Sequence, residues 1–135
     1  ARAILDAFHQ GDLLTTKNLA DVVTRCFPVS GKNHGRLHPA TRTSQALRIW
    51  INKELDQLEQ FLNTAPSFLS TGGRCVILSY HSLEDRMVKQ SFKRWEDEEN
   101  FSVLTKKPVI PGAEEIEKNP RARSAKMRVL EKRAA

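Results

Sequence analysis

The amino-acid sequence predicts an α/β fold in which a mainly helical segment precedes a small sheet and its helices. Residues 1–63 carry apolar side chains at helical spacing. A continuous apolar run then occupies Cys75–Leu78, and an amphipathic helical pattern follows it directly. Such runs are typical of inner strands that are covered on both faces of an α/β sheet. A chain of 135 residues is long enough for one small domain with a modest core.

Three helices are predicted in the N-terminal part. The first stops at Gly11 and the second at Pro28, and either Thr15 or Thr16 can cap the second. The third runs without a break from Pro39 to Asn63. Its apolar stripe consists of Leu47, Ile51, Leu55, Leu58 and Leu62.

The loop before the third helix contains His34 and His38. Glycine and proline around them argue against a helix that presents both imidazoles to a metal ion. No metal site is therefore predicted.

The C-terminal part combines strands and helices. Ser82 is predicted to cap the helix after the apolar run, with Asp85 completing a capping box. The buried face of that helix consists of Met87, Val88, Phe92 and Trp95. A short strand within residues 101–110 and a short helix within 112–120 follow.

The last predicted strand alternates two kinds of residue. Ala125, Met127 and Val129 are apolar, whereas Lys126 and Arg128 between them are basic. This alternation predicts a half-buried terminal strand. Two or three strands cannot bury their own faces. We therefore expect a further part of a longer polypeptide, or self-association, to complete the sheet.

Charge and cysteine content narrow the functional class. The net charge of +6 favours a polyanionic partner, most simply nucleic acid. No apolar stretch has the length of a membrane span, so no membrane partner is expected. Cys26 and Cys75 match no metal or redox spacing, which indicates structural thiols in a reducing, cytoplasmic compartment.

Polar residues follow the apolar run at Tyr80, His81 and Ser82. Ligands of open α/β sheets bind beyond the carboxyl ends of strands, so His81 can line a site and even transfer a proton. The alternative is that His81 only hydrogen-bonds a neighbouring loop. No nucleophile elbow surrounds Ser82, so we expect it to be a helix cap.

Two further clusters fit RNA. Near the start of the third helix, Arg42 suits a phosphate, and Trp50 and Asn52 follow near the middle of the helix. Trp50 either stacks on an exposed base or lies in the core. At the turn before the last strand, Arg121 and Arg123 beside Ser124 suit phosphate oxygens or form a solvated basic turn.

These clusters together resemble a known family. The sequence is similar, in order and spacing, to the C-terminal half of the bacterial 16S ribosomal RNA cytosine-N4 methyltransferases (the MraW or RsmH type) in the segments "HPATRTSQALRIWIN", "GGRCVILSYHSLEDRMVK" and "NPRARSAKMRV". The resemblance implies a Rossmann-like core with an inserted helical domain. It assigns residues 1–63 to the helical, substrate-recognising insert and residues 64–135 to the C-terminal part of the core.

The resemblance also implies a reaction. The family transfers a methyl group from S-adenosylmethionine to a cytidine amine of small-subunit RNA. Trp50, Asn52 and His81 would then hold the flipped cytidine, whereas Arg42, Arg121, Arg123 and Ser124 would contact RNA. The family's cofactor-binding Gly-Gly-His loop has no counterpart in this sequence, so we expect neither a cofactor pocket nor activity in this chain alone. The alternative function is a non-catalytic RNA-binding or ribosome-assembly module.

Overall fold

The computed structural model of the chain describes residues 1–27, 38–98 and 100–134. Two compact units divide the chain, Ala1–Glu54 and Leu55–Ala135. The predicted boundary at residue 63 assigns roles within a larger fold, and that assignment stays a prediction. Each unit is described by itself below.

The first unit is helical in its described part. Its helices are α1 (Arg2–His9), α2 (Thr16–Arg25) and α3 (Thr41–Asn52). Of the two predicted candidates, Thr15 caps α2: its Oγ1 accepts a hydrogen bond from the Asn18 backbone N–H, and the Asn18 side chain accepts from the Thr15 N–H. Pro28 and the loop with His34 lie outside the described residues.

The prediction of one helix from Pro39 to Asn63 is wrong. Helix α3 ends at Asn52 and α4 covers Glu54–Thr64, because Lys53 between them adopts the left-handed conformation, with φ 51° and ψ 38°. The Glu54 carboxylate accepts hydrogen bonds from Arg48 and Asn52, both at 3.1 Å. A left-handed lysine is unfavourable by about 1–2 kcal/mol, and no glycine or proline marks the break in the sequence.

Helix α4 leads into the second unit, which combines helices with one sheet. The remaining elements are a 3₁₀ turn (Ala65–Phe68), β1 (Arg74–Ser79), α5 (Ser82–Asp97), β2 (Phe101–Val103), α6 (Ala113–Lys118), a second 3₁₀ turn (Pro120–Ser124) and β3 (Lys126–Lys132). This mixed α/β composition agrees with the sequence prediction.

The three strands form an antiparallel sheet in the order β1-β3-β2. The expectation that Cys75–Leu78 forms an inner strand covered on both faces is wrong for the described residues. Strand β3 pairs with one side of β1, and the side chains of Val76 and Leu78 are 56% and 51% exposed. The apolar run correctly indicates two apolar faces, but it does not show whether this chain covers both.

Helix α5 packs against the face of the sheet opposite to Val76 and Leu78, and the core lies between this helix and the sheet. The buried cluster consists of Leu62, Cys75, Val88, Phe92, Phe101 and Leu130. Met87 and Trp95 pack against it, so the predicted buried face of α5 is confirmed. The Leu62 carbonyl at the end of α4 accepts hydrogen bonds from the Trp95 indole N–H at 2.9 Å and from the Ser91 hydroxyl at 3.3 Å. These bonds satisfy a helix-terminal acceptor inside the core.

A buried ion pair connects α5 to β3. The Arg128 Nε atom donates to Oδ1 of Asp85 at 2.7 Å, and a second guanidinium nitrogen donates to Oδ2 at 3.3 Å. Arg128 is 5% exposed and Asp85 8% exposed. The Lys126 ammonium lies 3.3 Å from Oδ2 of the same carboxylate. The prediction of a half-buried strand with a basic face is therefore wrong at Arg128, because an acid on the facing helix neutralises it.

Two adjacent glycines make the turn before β1, for different reasons. Gly72 has a φ of +75°, a left-handed conformation that side chains rarely adopt. A Cβ atom on Gly73 would lie 2.7 Å from the Ser70 carbonyl oxygen. The Gly72 N–H donates to the Lys132 carbonyl at 2.7 Å, which closes this end of the β1–β3 pair.

Replacing Asp85 with Ala should strongly destabilise the second unit. The variant leaves the Arg128 guanidinium buried and unpaired, so we expect a loss of about 3–5 kcal/mol in the free energy of unfolding. Urea denaturation followed by circular dichroism measures it. Asp97→Ala removes an exposed acid from the same helix and should change stability by less than about 0.5 kcal/mol. Equal stability of Asp85→Ala and the parent would contradict the ion pair's role.

Acid should weaken the same contact. The hydrogen bond from Arg128 lowers the pKa of Asp85 below its ordinary value of 3.8. A depressed folded-state pKa adds stability above the unfolded value, and this stability is lost as the pH falls through the folded pKa. Asp85→Ala should therefore show a shallower loss of stability below about pH 4 than the parent.

The edge of β1 that no described strand pairs with should promote self-association, which stays a prediction. An unpaired apolar edge strand readily pairs with another strand. We expect the parent chain to sediment as oligomers and Val76→Lys, which places a cation on β1, to shift it towards the monomer. Ile110→Lys, an equivalent change at another exposed apolar residue, should leave association unchanged. A stable monomeric parent in sedimentation would contradict this prediction.

Candidate nucleic-acid interface

The sheet register brings two of the predicted clusters together. Ser79, the last residue of β1, pairs with Lys126, the first residue of β3. The polar junction at Tyr80 and His81 directly follows Ser79. The basic turn Pro120–Ser124 is separated from Lys126 by one residue. Paired residues of neighbouring strands lie about 5 Å apart, so both clusters lie at the same edge of the sheet.

His81, and not Ser82, caps helix α5. The His81 Nδ1 atom accepts a hydrogen bond from the Glu84 backbone N–H at 3.3 Å. In return, Oε2 of Glu84 accepts from the backbone N–H groups of Tyr80 at 2.9 Å and His81 at 3.3 Å. The predicted capping box of Ser82 and Asp85 is therefore wrong by one residue. Asp85 is held instead by the cations of β3.

The His81 ring is almost enclosed. Its side chain is 11% exposed, and Nε2 lies 3.3 Å from Oε1 of Glu84 without hydrogen-bonding geometry. Because Nδ1 is an acceptor, the neutral ring carries its proton on Nε2. Nε2 and the Ser79 hydroxyl are both buried and lack hydrogen-bond partners among the described residues. His81 is thus the cap of α5, and its predicted roles in lining a site, holding a cytidine or transferring a proton stay predictions.

Buried alanines orient the basic turn. Ala122 and Ala125 are 6% and 9% exposed, whereas Arg121, Arg123 and Ser124 are exposed. Ala122 anchors the backbone between the arginines and Ala125 anchors it after the turn, which leaves the guanidinium groups in solvent. Within the described part of the chain, neither arginine makes an ion pair. Two uncompensated guanidiniums beside a hydroxyl form an arrangement that suits phosphate oxygens.

The other predicted site residues lie on α3 in the first unit. Arg42 is exposed at its first turn, and the Trp50 side chain is 77% exposed. The alternative that Trp50 is a core residue is therefore wrong for the described chain. The Asn52 side-chain amide donates to Oε1 of Glu54 at 3.1 Å, next to the break at Lys53.

Sequence reasoning missed the contributions of Glu84 and Arg128. A glutamate three residues after a polar junction is a capping-box signal, but histidine is an uncommon cap and the serine beside it matched the pattern better. The pairing of Arg128 with Asp85 joins residues 43 positions apart. Local alternation does not reveal such a contact.

The described residues give little support for metal binding, a reactive thiol or membrane insertion. No group of three or more His, Cys, Asp or Glu residues there is arranged to hold a metal ion, and His34 lies outside the described part. Both cysteines are free thiols, and burial raises the pKa of Cys75. No described helix combines the length and the apolar character needed to cross a bilayer.

Comparison with known proteins defines the class. A family model described as the MraW methylase family matches residues 1–133. The chain therefore belongs to this methylase family, which confirms the resemblance found in the sequence.

Individual relatives carry one name. Proteins named "Ribosomal RNA small subunit methyltransferase H" are 54% identical over 119 residues in Crocosphaera subtropica and 46% identical over 129 residues in a Sulfurihydrogenibium species. These matches cover 88% and 96% of this chain, but 36% and 44% of the relatives. A protein of the same name from Coprothermobacter proteolyticus is 51% identical, over 98% of this chain and 43% of its own length. The chain thus spans about two fifths of the length of these relatives.

Proposed function

We propose that this chain is part of an S-adenosylmethionine-dependent methyltransferase that methylates the N4 amine of a cytidine in small-subunit ribosomal RNA, in the cytoplasm. Membership of the methylase family is the observation that carries the proposal. The names of the relatives support ribosomal RNA of the small subunit as the substrate. A non-catalytic RNA-binding module is not favoured, because those names describe methyltransferases.

The proposal includes a division of labour in the complete protein. Residues 1–63 belong to a helical insert that recognises substrate, and residues 64–135 complete one end of a Rossmann-like core. The open β1 edge and the exposed Val76 and Leu78 support this assignment, because they provide a place where a larger sheet and its covering helices continue. The partner is small-subunit ribosomal RNA or the particle that contains it.

The described residues do not fit a cofactor pocket of their own. An S-adenosyl ribose is commonly held by a free carboxylate beyond a strand end. Both carboxylates near the end of β1 are already engaged, since Glu84 accepts from the backbone of Tyr80 and His81 and Asp85 binds Arg128. We therefore assign the cofactor to another part of the complete protein.

RNA binding is the contribution we assign to this chain. Arg121, Arg123 and Ser124 would hold phosphates at the sheet edge, and Arg42 would do so on α3. Trp50 would stack on the extruded cytidine, with Asn52 beside it. His81 would shape the junction as a helix cap. Catalysis by alignment of an amine with a methyl donor needs little acid–base help, which agrees with an enclosed His81.

A methyl-transfer assay on the natural protein that carries this sequence tests the function. We expect labelled methyl from S-adenosylmethionine to appear as N4-methylcytidine in small-subunit RNA, detected by mass spectrometry of nucleosides. A protein that binds this RNA without transferring methyl would instead support the non-catalytic alternative. Methylation at another atom would contradict the assignment of the reaction.

Replacing Arg121 and Arg123 together with Ala should weaken RNA binding through phosphates. The slope of log affinity against log salt should become shallower by roughly one to two units, because fewer counterions are released. Sequence preference should change little. Lys89→Ala with Lys93→Ala removes the same charge from exposed positions of α5 and is the matched control. Identical slopes for the arginine variant and the parent would exclude the phosphate contacts.

Trp50→Ala provides a contrast in the same titrations. If the indole stacks on a base, the variant should lose about 1–3 kcal/mol of binding free energy, while the slope of log affinity against log salt stays unchanged. Since the ring is exposed, the melting temperature should hardly move. A large fall in melting temperature with normal binding by the folded fraction would indicate a packing role instead.

A further inference from the structure

We propose that Tyr80 is a stacking platform for an unpaired base of the RNA whose phosphates are held by the basic turn. The inference rests on the proposed function and adds a base-contacting residue at the second unit's sheet edge. It is drawn from the ring's exposure, its rigid attachment and its cationic surroundings.

Tyr80 is an aromatic residue in an unusual position. Its side chain is 53% exposed, although the residues on both sides, Ser79 and His81, are enclosed. Its phenol makes no hydrogen bond with a described residue, so no polar contact within the described chain engages the ring. The exposed part of the ring is therefore accessible to a ligand.

The backbone that carries the ring is held in place. The Tyr80 N–H donates to Oε2 of Glu84 at 2.9 Å, and the next residue caps α5. Asp85 in the first turn of that helix is held by Arg128 of β3. An aromatic group on a fixed backbone loses little conformational freedom on binding, which favours its use in recognition.

Basic residues lie at the same end of the sheet as Tyr80. Ser79 pairs with Lys126, and the exposed Arg121 and Arg123 lie in the turn that leads to Lys126. Proteins that bind single strands combine a basic track for the backbone with aromatic rings on which bases stack. Tyr80 beside this turn reproduces that combination.

Other exposed rings of the second unit lie elsewhere. Phe61 is on α4, and Phe68, which is 85% exposed, ends the 3₁₀ turn that precedes β1. Among the described aromatic residues of this unit, Tyr80 is the exposed one that follows β1, at the end of the sheet where the basic turn leads into β3. Phe68 therefore serves as a matched control.

The first experiment observes the ring directly. Tyr80 is the chain's one tyrosine, so incorporation of 3-fluorotyrosine gives a single fluorine NMR signal. The 135-residue chain is titrated with a short oligocytidylate and with an abasic oligonucleotide of the same length. We expect the fluorine signal to shift with the cytidine-bearing strand and to stay nearly unchanged with the abasic strand.

The second experiment measures affinity. Tyr80→Leu should weaken binding of the oligocytidylate about ten-fold and leave binding of the abasic strand unchanged. Tyr80→Phe should stay within about two-fold of the parent, because the ring is retained. Phe68→Leu should bind like the parent. Should Tyr80→Leu fail to fold, the fluorine titration of the parent decides.

Three outcomes overturn the inference, and the third also bears on the proposed function. If the parent binds the oligocytidylate but the fluorine signal does not respond, or Tyr80→Leu loses affinity equally for both strands, Tyr80 is not a stacking platform while RNA binding stands. If the parent binds neither strand, both the inference and the RNA-binding part of the proposed function fail.

Discussion

The buried ion pair between Asp85 and Arg128 determines how the second unit is assembled. It joins the first turn of α5 to the central strand at a point where both side chains are largely buried, Arg128 at 6% and Asp85 at 12% exposure. An unpaired ion at that depth would be strongly unfavourable, so α5 has one position on the sheet that satisfies both groups. The apolar cluster around Val88 and Phe92 supplies most of the attraction between α5 and the sheet. The ion pair determines the position of α5 along the sheet. The junction before α5 inherits its position from this contact.

That position has a functional meaning because the candidate interface is built from backbone geometry. The carboxylate of Glu84 holds two successive N–H groups of the junction, while the alanines of the basic turn are buried and its arginines are exposed. A surface of this kind presents charge and aromatic area to a ligand with little rearrangement, as recognition of a structured RNA requires.

Much of this architecture could be predicted from local sequence patterns. The buried face of α5 follows from the spacing of Val88 and Phe92, and the start of α2 from the threonines at positions 15 and 16, because such signals are local in the sequence. The break at Lys53 has no glycine or proline to announce it. The burial of Arg128 depends on an acid 43 residues away. Likewise, the approach of the basic turn to Tyr80 depends on strand register, which residues far apart in the chain decide together. Family motifs indicated which clusters to consider, but not how they meet.

The two glycines before β1, Gly72 and Gly73, are under different structural constraints and therefore tolerate substitution to different degrees. At Gly72 the constraint is a backbone angle, which asparagine can adopt at a modest cost, so this position can drift in a lineage. At Gly73 the constraint is space against a main-chain oxygen, which no side chain of any kind can share. The two adjacent glycines therefore differ in the substitutions that they tolerate. A substitution at the second requires the preceding turn to be rebuilt, and with it the end of the sheet that this turn closes.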